Sequence, residues 1–169
     1  NIFVQERATK TNFLKSLKDS YKRIAIGTHS VSYNVSLNVT EPSLIFAYDK
    51  DPILKASEIA DLSIKTNLVI LSSCNTVIDY DSSDFSILPR AFLVAGSKAV
   101  VFSSWNIETL SASEVSENLF QIMWLNEEAS YHEALRLALI KMLEESKNKS
   151  YIHPRYWAGY SIAYKKSVI

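Results

Sequence analysis

Asn67-Leu-Val-Ile-Leu-Ser-Ser-Cys-Asn-Thr76 is the stretch on which the fold turns. Leu68 to Leu71 form an unbroken apolar run of strand formers, the pattern of a strand covered on both faces, as in a parallel sheet. It runs directly into Cys74, the only cysteine of the chain. A residue in that place leaves the sheet at its carboxyl edge, where open α/β sheets bind ligands. Arg23-Ile-Ala-Ile-Gly-Thr-His29 has the same form, a short apolar strand ending in a histidine.

Working outward, the chain alternates strands and helices. Residues 2–5 read as an opening strand. Residues 8–21 place Phe13, Leu14, Leu17 and Tyr21 at helical spacing, with lysines on the other face. Residues 30–43 are polar, residues 44–48 read as a strand, residues 49–52 as a turn, and residues 57–62 as a short helix. After a polar loop over residues 75–86, a helix is expected from Pro89 to Ala95 with Gly96 as its C-terminal cap. A buried strand follows over residues 98–104. Two helices then open on capping boxes, Ser111 with Glu114 and Ser130 with Glu133. Val115, Leu119, Ile122 and Met123 stripe the first, and Ala134, Leu135, Ala138, Leu139 and Met142 the second. An aromatic-rich strand over residues 156–164 closes the chain. The fold class is therefore α/β: a three-layer α/β/α sandwich with a mostly parallel sheet.

The 169 residues suit one domain, taken as residues 1–169. Eighteen basic and eighteen acidic residues cancel, which gives no pull toward nucleic acid or an anionic membrane surface. One cysteine cannot close an internal disulfide, and no apolar run is long enough for a membrane helix, so a cytoplasmic protein is expected. The first residue is Asn1, which suggests a piece of a longer chain. Gly27, Gly96 and Gly159 are isolated and form no phosphate-binding loop, which disfavours a flavodoxin-like binding domain; no cofactor and no metal site is expected.

A thiol and an imidazole at two strand ends remain. On adjacent parallel strands, about 5 Å apart, both would rise over one edge. That suits a cysteine peptidase, which needs a thiolate, an imidazole to move protons, and backbone N–H groups for the oxyanion. On these residues alone a second reading stands beside it, with Cys74 a small buried hydrophobe and His29 a loop cap. His132 and His153 have no neighbours that suggest chemistry.

Several stretches, in order, are similar to the CHAT-domain family of caspase-like (clan CD) cysteine peptidases. Gly27-Thr-His-Ser30 resembles the family's Ala-Thr-His-Gly, and Leu71-Ser-Ser-Cys-Asn-Thr76 its Leu-Ser-Ala-Cys-Glu-Thr-Gly. Leu88-Pro-Arg-Ala-Phe-Leu-Val-Ala-Gly-Ser97, Val100-Val-Phe-Ser-Ser-Trp105, Glu133-Ala-Leu-Arg136 and His153-Pro-Arg-Tyr-Trp-Ala158 match its later motifs. The resemblance implies a caspase-type sheet, lacking its N-terminal strand, with Cys74 as nucleophile and His29 as general base and acid. It implies an oxyanion site at the backbone N–H groups of Cys74 and Ser30, and substrate contacts from Ser104, Trp105 and Asn106. The implied partners are a protein or peptide substrate and an N-terminal helical-repeat (TPR-like) regulatory region. Trp105 also suits a core aromatic. Asp79, Asp81 and Asp84 would favour a basic substrate residue, or else form an ordinary solvated loop. Ser30, Asn75 and Val77 depart from the family's Gly, Glu and Gly, and a Ser30 held at positive φ would be strained. The alternative function is a catalytically silent caspase-like interaction module.

Overall fold

The structure is a computed structural model and describes residues 2–31, 34–72, 87–127 and 129–165. Along them run α1 (Lys10–Ser16), β1 (Arg23–Ile26), β2 (His29–Val31), β3 (Ser43–Ile45), β4 (Ile53–Lys55), α2 (Ala56–Ala60), β5 (Leu68–Leu71), α3 (Ile87–Ala95), β6 (Ala99–Ser103), α4 (Thr109–Leu125), α5 (Tyr131–Glu145) and β7 (Tyr160–Tyr164). The two continuous apolar runs, β5 and β6, are buried at every position and sit at the centre of a sheet ordered β1-β5-β6-β7. β1, β5 and β6 are parallel, and β7 returns antiparallel to β6.

Side chains alternate between the two faces. Val69, Leu71, Val100 and Phe102 pack with Phe13, Ile59, Leu88 and Phe92 of α1, α2 and α3. Leu68, Ile70, Ala99 and Val101 pack with Val115, Leu119, Ala134, Ala138 and Met142 of α4 and α5. Each such burial contributes about 1.5–3 kcal/mol for a Val, Leu, Ile, Phe or Met side chain, which is what fixes these strands in the middle layer. The result is the expected three-layer α/β/α sandwich with a mostly parallel sheet. Gly96 ends α3 at φ 122°, and a Cβ there would lie 2.4 Å from the carbonyl oxygen of Ile64. Only glycine fits that close approach.

Five local expectations are corrected. Residues 2–5 form no strand: Gln5 adopts φ 51° and opens a 3-10 turn, Gln5–Arg7. The first helix is confined to Lys10–Ser16, capped by Thr9, whose side chain accepts from the N–H of Asn12. One of its lysines is not on a solvent face; Lys10 is buried, and its ammonium reaches Asp51 at 2.7 Å, the carbonyl of Ile53 at 2.6 Å and Glu58 at 3.0 Å. Helix α4 begins three residues earlier than expected because Glu108, not Ser111, is its cap: the carboxylate accepts from the N–H of Ser111 at 3.1 Å. The last strand begins at Tyr160, since Pro154 starts a 3-10 turn that holds Tyr156 and Trp157 outside the ladder. The Ser130 cap holds as expected, accepting from the N–H of Glu133, while the Glu133 carboxylate turns to Arg136.

A second sheet was not foreseen. β2, β3 and β4 form a small antiparallel sheet, with His29 opposite Ile45 and Leu44 opposite Leu54. No helix among the described residues is long and apolar enough to cross a membrane.

Candidate active site

β1 and β5 are adjacent and parallel, with Ile26 level with Leu71, so both open at the same edge. One step past that ladder the N–H of Ser72 still donates to the carbonyl of Ile26, at 2.9 Å. The Ser72 hydroxyl lies 2.9 Å from that of Ser116, which itself donates to the carbonyl of Ala112 at 2.8 Å, so this strand end is tied to the first turns of α4. On the β1 side, Thr28 donates its hydroxyl to the carbonyl of Ile45 and ties the turn after β1 to the small sheet. His29 follows as the first residue of β2.

These strand ends frame one cleft of about 320 Å³, lined by His29 and Thr28 from the β1 side, Ser72 after β5, Ser103 at the end of β6, Tyr160 on β7, and Thr109 with Ser113 on α4. His29 is exposed, and its imidazole makes no hydrogen bond among the described residues. His29, Thr28 and Gly27 also border a larger groove, about 720 Å³, along the outer edge of β1. His29 is thus a wall of both depressions. Cys74, Asn75, Val77, Asp79, Asp81 and Asp84 lie outside the described residues.

Ser30 is not strained. Among the described non-glycine residues only Gln5 and Asn38 have positive φ, and Ser30 sits within β2 opposite Leu44. The N–H groups of Phe46 and Ala56 donate to the carbonyls of Pro52 and Pro42, both at 2.9 Å. Even-numbered positions around β3 therefore bond toward β4, and Ser43 and Ile45 bond toward β2. With Ser30 between Val31 and His29, the partners of Ser43 and Ile45, the register turns its N–H away from β3.

Ser104, Trp105 and Asn106 follow Ser103 but do not line the cleft. Trp105 is no core residue, being 42% exposed. Its indole N–H donates to the carbonyl of Arg155 at 2.9 Å, and its ring lies so close over Gly159 that a Cβ there would come within 2.8 Å. Ser104 completes the clasp by donating its N–H to the carbonyl of Gly159 at 2.8 Å. His153 caps the 3-10 turn by accepting from the N–H of Arg155, and His132 meets Tyr164 edge to face, consistent with structural roles for both.

The cleft residue that sequence reasoning missed is Tyr160. Its side chain shares a face with Ser103, its partner across the β6–β7 ladder, and is half-buried against the α4–α5 side of the core. Its hydroxyl is buried and has no hydrogen-bond partner among the described residues, and burial pushes the phenol well above the ordinary tyrosine range. In sequence it reads only as one more strand aromatic. No group of three or more His, Cys, Asp or Glu able to hold a metal occurs among the described residues.

Comparison with known proteins agrees with this fold. The crystal structure of the Arg-specific cysteine proteinase gingipain R matches over 96% of this chain and 36% of its own length, with a TM-score of 0.58 and 10% identity, which shows the fold to be the caspase-like one. Tetratricopeptide repeat protein 28 of Mus musculus is 29% identical over 117 residues, 67% of this chain, and its Homo sapiens counterpart 30% identical over 114 residues, 65% of this chain. The matched region amounts to only 4% of the length of either relative. The family model of the CHAT domain runs over residues 1–165, and the chain belongs to the CHAT-domain family.

Proposed function

We propose that residues 1–169 act as a cysteine endopeptidase domain with Cys74 as nucleophile and His29 as proton carrier. The observation that carries this reading is the shared opening of β1 and β5, which puts His29 and Ser72, two residues before Cys74, on the wall of one cleft. In the proposed reaction the Cys74 sulfur forms a bond to the peptide carbonyl carbon and its proton passes to the His29 imidazole. That proton goes to the leaving amine as the C–N bond breaks, leaving a thioester. Water then attacks, giving a proton to the same imidazole; the acid departs as the C–S bond breaks, and the imidazole returns that proton to the sulfur, restoring the thiol. The N–H groups of Cys74 and Ser30 serve as oxyanion donors, a role supported by the place of Ser30 directly after His29 of the cleft wall.

Ser104, Trp105 and Asn106 are assigned to substrate beside the cleft, supported by their position directly after Ser103. Asp79 and Asp81 are assigned to a basic substrate residue, a reading supported by the Arg specificity of the gingipain neighbour. A TPR-like region as regulatory partner, and a cytoplasmic setting, complete the proposal; the names of the two curated relatives support the former. Those same names favour a second reading, a catalytically silent caspase-like interaction module. The deciding experiment is labelling by a peptidyl acyloxymethyl ketone. Stoichiometric modification of Cys74 that disappears in His29→Ala, with an unchanged melting temperature, supports the peptidase. No modification of Cys74 in the folded protein leaves the silent module.

A further inference from the structure

β1 ends at Ile26 and β2 opens at His29, so two residues, Gly27 and Thr28, carry the chain from the large sheet to the small one. Gly27 brings no side chain, its φ is not positive, and a Cβ there would meet nothing within 4 Å among the described residues. The only side chain in the link is that of Thr28. Its hydroxyl donates to the carbonyl of Ile45, and Ile45 is the residue opposite His29 on β3.

Ile45 bonds toward β2, so the pair it forms with His29 exchanges both backbone bonds, and the Ile45 carbonyl already accepts from the N–H of His29. Thr28 adds a second donor to the same oxygen, which has two lone pairs to receive both. The ladder is complete without the hydroxyl. What the hydroxyl adds is a clamp between the link and the rung on which His29 sits. His29 has use for one: its imidazole is exposed and makes no hydrogen bond among the described residues, which leaves its backbone to place it. We propose that Thr28 is a positioning residue that acts through His29, setting where the imidazole stands at the cleft by holding the link to the His29–Ile45 rung. This rests on the reading of His29 as proton carrier, but its first test requires no chemistry at the site.

The first measurement is amide hydrogen exchange, read by NMR, in the full chain carrying Thr28→Val, which deletes little more than the hydroxyl, and in Thr28→Ser, which keeps it. Loss of one neutral hydrogen bond predicts exchange faster by about 3- to 10-fold at the His29 and Ile45 amides of Thr28→Val, with β5 and β6 unchanged and Thr28→Ser close to wild type. Unchanged exchange at those two amides, or one common factor across all strands, overturns the proposal. The second measurement is the rate at which iodoacetamide alkylates Cys74, the only thiol, in wild type, Thr28→Val, His29→Ala and the double variant at equal folded fraction. A rate about 3- to 10-fold lower in Thr28→Val, restored in Thr28→Ser and with no further loss in the His29→Ala background, supports action through His29. An equal loss in both backgrounds overturns it, as does no loss where His29→Ala itself slows the reaction. A rate indifferent to His29 defeats the proton-carrier reading separately, and the exchange result then decides alone whether Thr28 places His29.

Discussion

The N–H of Ser72 donates to the carbonyl of Ile26 at 2.9 Å, which extends the β1–β5 ladder one step beyond both strands. This bond holds the two strand ends level where they enter the cleft. What lies after Ser72 begins from a fixed point, and the fixed point is beside the turn to His29.

Replacing His29 by alanine is predicted to lower peptide cleavage by at least about 100-fold, the lower end of the usual contribution of a positioned acid–base group. Because the side chain is exposed and makes no hydrogen bond among the described residues, the fold should be unaffected. Steady-state kinetics alongside a thermal melt would check both halves; retained activity would exclude His29 as the proton carrier.

Ser72→Ala removes the contact with the Ser116 hydroxyl. A stability loss of about 1 kcal/mol is expected in urea unfolding, the ordinary value of one such bond. The Ser72 backbone bond to Ile26 survives the change, so a total loss of fold would contradict this account.

Gly96→Ala should be far more damaging than its size suggests. The φ of 122° alone costs about 1–3 kcal/mol for a residue with a side chain. The added methyl also meets the backbone oxygen of Ile64, which cannot swing aside as a side chain could. Denaturant unfolding that moved by less than about 1 kcal/mol would mean α3 can end in another way.

Gly159→Ala probes Trp105 without touching it. The new Cβ would push the indole off its seat while the strand pairing of β7 remains. A red shift in tryptophan emission is the structural signature, and a KM raised severalfold at near-constant kcat is the functional one if Trp105 meets substrate. The emission shift with unaltered kinetics would remove Trp105 from the substrate assignment.

The sequence carried the middle layer well and the periphery poorly, for a physical reason. β5 and β6 are buried on both faces and are written as unbroken apolar runs; the stripes of α4 and α5 follow from helical spacing. β2, β3 and β4 are three residues each, too short for any period to register, so His29 read as a strand end when it in fact opens a second sheet. Lys10 was placed outside because a lysine on a helix usually is, and its partners come from Asp51 and Glu58, forty residues or more away. The site was legible at His29 and at the strand running toward Cys74. Tyr160 was not, since nothing in one letter says whether a hydroxyl will find a partner.

Lys10 also sets a pH dependence. Burial works against its charge, but the hydrogen bonds it donates to Asp51 and Glu58 outweigh it and raise its pKa. A raised folded pKa gives stability that is present below the unfolded value, about 10.4, and lost as pH climbs past it. Asp51, held low chiefly by its hydrogen bond from Lys10, gives stability present above its unfolded value and lost as pH falls below about 4. Unfolding free energy measured against pH should thus be flat through neutrality and fall at both ends, and Lys10→Met should flatten both limbs.

His29 rides on the small sheet, while the strand toward Cys74 belongs to the large one. The spacing of thiol and imidazole is then a matter of how two bodies are docked, not of one ladder. Lys10 on α1, gripping the carbonyl of Ile53 and the carboxylates of Asp51 and Glu58, is one rivet between them; the stacked rings of Phe13 and Phe46, 5.2 Å apart, are another. Loosening the Lys10 rivet, which lines neither the cleft nor the groove, should detune the site while leaving every residue of its wall in place. The rate at which a thiol reagent consumes Cys74 in Lys10→Met, compared with wild type at equal folded fraction, reads that tuning directly, and identical rates would mean the two bodies are held together elsewhere.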